Sequence, residues 1–240
     1  MVEPSTGTTV VFVLIVAVVV VAFVAATARA DRVLNGKPLA GKVALGTAVW
    51  LGITAAASAS GFLSKQSVPP PVMLFFVASM GVALWVALSH VGHRLASAVP
   101  IAGLVAIHGF RLPLELVLHE WHAQGVLPLQ MTYSGRNFDI VTGVLAVVVG
   151  AWLWRAAPSA ERARKVVFGF NVIGLALLVT VASIAVTSTP GPLRQFTNDP
   201  PVLLAMHFPY GWIVPFCVGA ALTGHVVIFR WLRMQRDRGV

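Results

Sequence analysis

Long apolar runs with almost no charged residues are the feature that most limits how this chain can fold. The first of them, VVFVLIVAVVVVAFVAA at residues 10–26, contains no charged residue at all. As an α-helix, a run of about 20 apolar residues spans the roughly 30 Å hydrocarbon core of a bilayer. The composition agrees, because 58% of the residues are hydrophobic and only 10% are charged, against about 25% charged residues in soluble domains. The sequence therefore predicts an all-α, polytopic membrane helix bundle.

Seven apolar segments follow one another with short polar connections. They lie at residues 9–28, 41–62, 72–91, 99–121, 138–155, 166–187 and 209–232. These connections leave no room for a soluble domain, so we expect residues 1–240 to form a single transmembrane helical domain. The chain before the first segment lacks Lys and Arg, and the positive charges follow the segment. That order is typical of a retained first span rather than of a cleaved signal peptide.

The Lys and Arg residues predict the orientation of the bundle. Thirteen of the seventeen fall in connections that would share one side: Arg29, Arg32, Lys37, Lys42, Arg94, Arg155, Arg162, Arg164, Lys165, Arg230, Arg233, Arg236 and Arg238. The opposite side has Lys65, Arg136 and Arg194. Because the side rich in Lys and Arg is cytoplasmic, we expect seven transmembrane helices with the N-terminus outside and the C-terminus cytoplasmic. The net charge of +9 is then a topology signal, which favours the lipid bilayer and not nucleic acid as the partner.

The fourth segment carries a polar stripe, in the stretch HGFRLPLELVLHEWH. Its members are His108, Arg111, Glu115, His119 and His122, spaced by 3, 4, 4 and 3 residues. At about 100° per residue all five fall within an arc of about 80° on one helix face. Charged residues within a membrane almost always face the bundle interior or a water-filled cavity. The stripe therefore indicates either a polar site or an internal network that ties helices together, and the spacing allows Arg111 and Glu115 to pair.

A second polar group lies in the predicted outer loops. Arg136, Asn137 and Asp139 stand where the chain re-enters the membrane, and Asn198, Asp199 and His207 come before the last span. Asn137 or Asp139 is suited to capping the fifth helix. Arg136 is not explained by capping, and we expect it to reach the outer end of the stripe near Glu115 or Glu120. Together these residues predict an outward-facing cavity lined by titratable groups.

Some of the polar residues have side chains that could bind a metal ion or haem. Glu115, His119 and His122 share one helix face and could supply three ligands to zinc or iron. His90 and His225, on different predicted helices, are the only arrangement that suggests haem, and nothing else supports it. The single cysteine, Cys217, excludes an internal disulfide and a cysteine-based metal cage. The prediction is therefore no cofactor, with zinc or iron as the alternative.

The segments FRLPLELVLH and MTYSGRNFDIVTG, with the later NVIGLALL and STPGPLRQF, resemble a family of bacterial multi-pass membrane proteins of uncharacterised activity. The resemblance extends from about residue 69 to the end of the chain. It implies a shared fold and a shared polar cluster, and we expect a multi-pass protein of the bacterial plasma (inner) membrane. It implies no activity.

The residues favour one function and leave two others open. The first is a protein that binds a small polar or anionic solute, as a transporter or a sensor. In such a protein Arg111 and Arg136 bind the negative charge of the solute. Glu115, His119 and His122 orient the solute or carry protons. The second is a metal-dependent membrane enzyme acting on a lipid-like substrate, so enzymatic activity stays an open question. The third is a structural or assembly subunit with a membrane-protein partner or a second copy of itself.

Overall fold

The computed structural model describes residues 2–197 and 199–237, and these residues form helices and loops without any strand. Asn198 and Arg238, used in the sequence predictions, lie outside the described residues. The all-α prediction is confirmed. The α-helices are α1 Thr6–Leu34, α2 Ala40–Ala59, α3 Pro71–Leu88, α4 His90–Ala98, α5 Ile101–Ala106, α6 Arg111–Ala123, α7 Ile140–Ala156, α8 Ala160–Ser188 and α9 Gly219–Asp237.

Six helical segments are long and apolar enough to cross a membrane. They are Thr6–Leu34, Ala40–Ala59, Pro71–Leu88, Ile101–Ala123, Ala160–Ser188 and Tyr210–Asp237. The predicted fifth span corresponds to α7, a shorter apolar helix of 17 residues, which reaches about 26 Å at 1.5 Å per residue. It begins two residues later than predicted, because Asp139 and the residues before it form the turn that enters the helix.

Two of the long segments change their helical form beside a proline. Residues Ile107–Phe110 form a 3₁₀-helix between α5 and α6, just before Pro113. Residues Ile213–Val218, which include Pro215, form a π-helix before α9. A proline has no N–H and its ring crowds the preceding turn, so the regular backbone pairing is interrupted there. The 3₁₀ turn changes the angle between His108 and the residues of α6, because it has three residues per turn instead of 3.6.

Buried polar contacts hold several of the basic segments together at one end of the bundle, which we call the basic end. Arg94 forms an ion pair of 2.9 Å with Asp31 at the end of α1. Arg230 on α9 donates to the backbone oxygens of Ala87 (2.6 Å) and Ser89 (2.8 Å) at the end of α3. The sequence placed Arg94 in a connection between two spans, and this was wrong. Arg94 belongs to α4, and its side chain is buried by packing against α1.

The apolar core has two large parts and a third, small cluster of Leu63, Val72 and Met206. One part lies toward the end opposite the basic end and includes Phe12 and Trp121, with Trp121 Nε1 donating to Thr8 Oγ1 at 2.9 Å. The other lies toward the basic end and includes Val105 and Ile228. Hydrogen bonds join Arg111 of α6 and Asp139 at the start of α7 to His225 of α9, and His225 to Asn171 of α8, so the helices bring these four buried polar residues together.

Candidate functional site

Arg111 and Asp139 form a buried ion pair between α6 and the start of α7. Arg111 Nε donates to Asp139 Oδ2 at 2.6 Å, and Arg111 Nη2 donates to Asp139 Oδ1. Both residues are buried, with relative exposures of 1% and 5%. Such two-point contacts between a guanidinium and a carboxylate fix orientation as well as charge. Asp139 occupies the N-cap position of α7 but makes no capping hydrogen bond, because its oxygens face Arg111.

The remaining nitrogen of Arg111 connects the ion pair to α8 and α9. Arg111 Nη1 lies 3.1 Å from His225 Nε2 and 3.4 Å from the backbone oxygen of Gly174. Since a guanidinium can only donate, His225 Nε2 must accept. The imidazole proton is then on Nδ1, which donates to Asn171 Oδ1 at 2.8 Å, and Asn171 Nδ2 donates to the backbone oxygen of His225 at 3.0 Å. These bonds define His225 as a neutral imidazole of one tautomer.

Glu115 lies one turn further along α6 and has a different partner. Asn137 Nδ2 is 2.9 Å from each Glu115 carboxylate oxygen and also donates to the backbone oxygen of Met131 at 3.0 Å. Asn137 Oδ1 accepts the backbone N–H of Asp139 at 3.1 Å, so Asn137 orders the turn before α7 and does not cap the helix. The spacing allowed Arg111 to pair with Glu115, but the ion pair of Arg111 is with Asp139.

Two glycines allow the helices to approach closely around this site. A Cβ atom on Gly143 of α7 would lie 2.5 Å from the backbone nitrogen of Leu112 on α6. A Cβ atom on Gly174 of α8 would lie 2.5 Å from Cε1 of His225 on α9. Both distances are shorter than real side chains tolerate. The missing side chains therefore leave the space in which Arg111, Asp139 and His225 meet.

A cavity of about 100 Å³ adjoins the ion pair. Its polar lining consists of Arg111, Glu115 and Asp139 together with Thr189, and the rest is apolar. The apolar part comes largely from α3, α8 and the segment leading into α9, where Met73, Phe76, Val186 and Val218 are half-buried. A space of this size holds several water molecules or a ligand of a few heavy atoms. We call this space the polar cavity.

The other members of the predicted stripe do not line the polar cavity. His119 is half-buried and stacks on Tyr133 with ring centroids 4.5 Å apart. His122 Nδ1 donates to the backbone oxygen of Leu127 at 2.9 Å. Among residues 2–197 and 199–237, no three His, Cys, Asp or Glu side chains are grouped closely enough to hold a metal ion. Glu115, His119 and His122 thus have separate neighbours, and a metal bound by them stays a prediction.

His108 is buried behind the ion pair rather than at the polar cavity. Its ring lies 4.2 Å from that of His225, and neither of its ring nitrogens has a hydrogen-bond partner in the structure. Gly224 makes room for it, since a Cβ atom there would lie 2.6 Å from His108 Nε2. The structure therefore brings His108 to the site through contact with His225 and Phe170.

The two remaining predicted residues lie outside the polar cavity. Arg136 is exposed, with its guanidinium 5.4 Å from the ring centroid of Phe196. Arg136 therefore contacts the loop after α8 and not, as the sequence had predicted, Glu115 or Glu120. His207 is half-buried in the connection before α9, where its backbone oxygen accepts the N–H of Gly211 at 2.8 Å.

Sequence reasoning missed Asn171 and His225 as members of the site. The sequence pattern suggests His225 only as a haem ligand together with His90, and it does not single out Asn171. In the structure His225 is in the core beside Arg111, while His90 is exposed on α4. The signal was present in FGFNVIGL and ALTGHVVI, where one polar residue interrupts an apolar run, because such residues usually mark functional sites within a membrane.

The fold and the site define an all-helical protein with apolar helices of membrane-spanning length and a buried ion pair joined to a neutral histidine. The chain belongs to the family described as domain of unknown function (DUF8737), whose model matches residues 68–233, more than half of the chain. This range contains Arg111, Glu115, Asp139, Asn171 and His225. No curated protein and no solved structure matches the chain.

Proposed function

We propose that the protein is a seven-span bacterial plasma-membrane protein with its N-terminus outside and its C-terminus in the cytoplasm. The membrane placement is supported by six helices of spanning length and by the apolar helix α7. The orientation is supported by the basic end, where Arg94 and Arg230 hold the ends of α1, α3 and α9. Basic segments of separate helices that gather at one end are the pattern expected for a cytoplasmic face.

We further propose that the polar cavity binds a small polar solute, as part of a transporter or a sensor. The observation that carries this proposal is a cavity of about 100 Å³ with apolar walls and three charged side chains on one side. Apolar pockets with a few convergent polar groups are the usual form of small-molecule sites. Arg111 positions Asp139 through their ion pair. Asn137 orders the carboxylate of Glu115, which lines the cavity.

The charges favour a cationic solute over an anionic one. Asp139 balances the positive charge of Arg111, His225 is neutral in its hydrogen-bond pattern, and Arg136 lies away from the cavity. The remaining charge at the cavity wall is the carboxylate of Glu115. A buried charge is costly unless it is paired. A small cation, such as a sodium or alkylammonium ion, would therefore complete the charge balance of the site.

The test is cation binding to the detergent-purified protein, measured by calorimetry and thermal shift. Sodium, methylammonium and trimethylammonium chlorides are the probes, and sodium acetate is compared with sodium chloride to detect anion binding. We expect the wild type to bind at least one of these cations and Glu115→Gln to lose that binding. Glu120→Gln, which changes an exposed acid on the same helix, should bind as the wild type does.

No cation binding by the wild type, or equal binding by wild type and Glu115→Gln, would contradict the proposal. Uptake of radiolabelled methylammonium into proteoliposomes then separates a transporter from a sensor. A transporter accumulates the label and loses uptake with Glu115→Gln. A sensor binds the cation without uptake.

A second candidate function is a structural or assembly subunit. The observation in its favour is that Arg111 bonds to groups of α7, α8 and α9 at once, so its hydrogen-bonding capacity is used in joining helices. Such a network specifies helix packing even without a ligand. This function predicts that Glu115→Gln lowers stability or assembly without changing the binding of any cation tested above.

A further inference from the structure

A second and larger cavity lies away from the ion pair and is lined by residues of α1, α2, α3, α4, α5 and α9 and of the π-helix before α9. Its volume is about 590 Å³, within the roughly 300–1,000 Å³ range of small-molecule sites. The lining is almost entirely apolar, with Phe23 and Trp50 among the larger side chains and Gly46 and Ala83 among the smaller ones. Arg111, Glu115 and Asp139 are not part of it. We call this space the apolar cavity.

The apolar cavity exists because α2 is attached at its first residues and along its second half. At the basic end, Asp31 Oδ2 accepts the backbone N–H groups of Leu39 (2.9 Å) and Ala40 (2.8 Å). Past the middle of α2, Trp212 Nε1 donates to the backbone oxygen of Leu51 at 3.3 Å. Of the residues of α2, only Thr54 and Ser58 are buried. The first half of α2 thus stands off from α3 and α9, and the gap behind it is the cavity.

One charged residue lines the apolar cavity, and it is a cation. Lys42 is exposed on the first turn of α2, at the basic end, and the preceding connection carries Lys37. From Lys42 to Trp50 the cavity follows α2 for about 12 Å, at 1.5 Å per residue. An apolar channel along a helix with a lysine at its mouth fits a hydrocarbon chain whose anionic group stays at the membrane surface.

We propose that the apolar cavity binds one acyl chain of an anionic phospholipid, with the head-group phosphate at Lys42. The acyl chain fills the space between α2 and α3 and so supports the packing of α2. The phosphate contacts the ammonium group of the lysine, which acts as a compact point charge. This site is independent of the polar cavity and of the solute proposed there.

Gly46 offers a variant that adds bulk at the cavity wall. It lines the cavity, and a Cβ atom there meets no atom within 4 Å, so Gly46→Phe introduces a ring at the wall without a clash of its Cβ atom. Gly52 is the matched control, because it is also on α2, also has nothing within 4 Å of a Cβ atom, and does not line the cavity. Lys42→Gln tests the head-group contact, with Lys65→Gln as its control at the opposite end.

The experiment reconstitutes each variant in vesicles of equal parts phosphatidylglycerol and phosphatidylcholine with identical chains. Each sample is then extracted in mild detergent, and the mass of the protein with its bound lipid is measured by native mass spectrometry. We expect one retained phosphatidylglycerol per wild-type chain, its loss in Gly46→Phe, and its retention in Gly52→Phe. Lys42→Gln should lower the preference for phosphatidylglycerol about fivefold, the factor that corresponds to about 1 kcal/mol for one lysine at an anionic surface.

Three results would overturn the proposal. One is a wild-type chain that retains no lipid, and another is equal retention by Gly46→Phe and the wild type. The third is a dimer that disappears in Gly46→Phe, since it would mean that a second copy of the chain, not a lipid, covers this cavity. Equal retention of the two lipids by the wild type would overturn the assignment of the head group to Lys42.

Discussion

Arg111 and Asp139 face each other across the contact of α6 and α7, with two nitrogens of the guanidinium on the two oxygens of one carboxylate. This relationship decides which charges remain for a ligand. Because Asp139 balances the charge of Arg111, Glu115 is the acid that lines the polar cavity without a cation to balance its charge. The same pair also holds the helices together, and the two roles can be separated by mutation.

The first prediction concerns the stability of this ion pair. Arg111→Ala leaves the buried Asp139 carboxylate without its partner, and we expect a loss of about 3–5 kcal/mol in the free energy of unfolding. Asp139→Ala should cost a similar amount. Arg136→Ala removes an exposed arginine, and its effect should stay within about 0.5 kcal/mol. Unfolding by denaturant in detergent, followed by circular dichroism, measures all three.

The double variant Arg111→Met with Asp139→Leu provides the control for this prediction. It removes both charges, so neither is left buried alone, and it should be more stable than either single alanine variant. Single variants that are as stable as the wild type would contradict the structure, because they would show that the two side chains are not buried together.

The second prediction concerns the tautomer of His225. Arg111 donates to Nε2, so the proton is on Nδ1, where it is shared with Asn171. Nitrogen-15 NMR of histidine-labelled protein should show one buried neutral imidazole protonated at Nδ1, and the signal should be absent in His225→Leu. In Asn171→Leu the Nδ1 proton loses its acceptor, and we expect its exchange with water to become faster. A buried His225 protonated at Nε2 would contradict the contact with Arg111.

The sequence predicted much of the fold but only part of the site. The apolar runs located the helices, and the spacing of the polar residues on α6 singled out Arg111 and Glu115 as buried groups. The partner of Arg111 could not be predicted, because Glu115 one turn away and Asp139 in a nearby loop are equally suitable acids. His225 and Asn171 were missed as members, since each stands alone on its helix and only the packing of α8 against α9 brings them to Arg111.

The polar stripe of the fourth predicted span shows why a helical pattern gives an incomplete account of burial. All five residues share one face by spacing, yet His108, Arg111 and Glu115 are buried while His119 and His122 are half-buried. The difference arises from the neighbours, because His119 and His122 face the loop at residues 127–134 rather than another helix. Nothing in the periodicity of α6 itself distinguishes these surroundings.

The third prediction concerns the close approach of α6 and α7. Gly143→Ala places a Cβ atom 2.5 Å from the backbone nitrogen of Leu112, so the two helices must move apart. We expect a loss of about 1–3 kcal/mol, the usual cost of overpacking. Gly169→Ala on α8 is the control, because a Cβ atom there meets nothing within 4 Å. It should be neutral or stabilising by up to about 1 kcal/mol, since alanine is the better helix former.

Thermal unfolding of the two glycine variants in the same detergent makes this comparison. If Gly143→Ala were as stable as Gly169→Ala, the contact between α6 and α7 would be looser than the structure shows. The ion pair would then lack the close approach that Arg111 and Asp139 require.

The last prediction contrasts His108 and His225, whose rings are in contact. His108 is buried with no hydrogen-bond partner for either ring nitrogen, whereas His225 bonds through both. Replacing an unpaired buried polar group by an apolar one of similar size is neutral or stabilising, so His108→Leu should unfold at the same temperature as the wild type or higher. His225→Leu leaves donors of Arg111 and Asn171 unpaired, and each such group costs about 1–3 kcal/mol. A His108→Leu variant that unfolds as early as His225→Leu would mean that the His108 imidazole has a polar partner, such as an ordered water molecule.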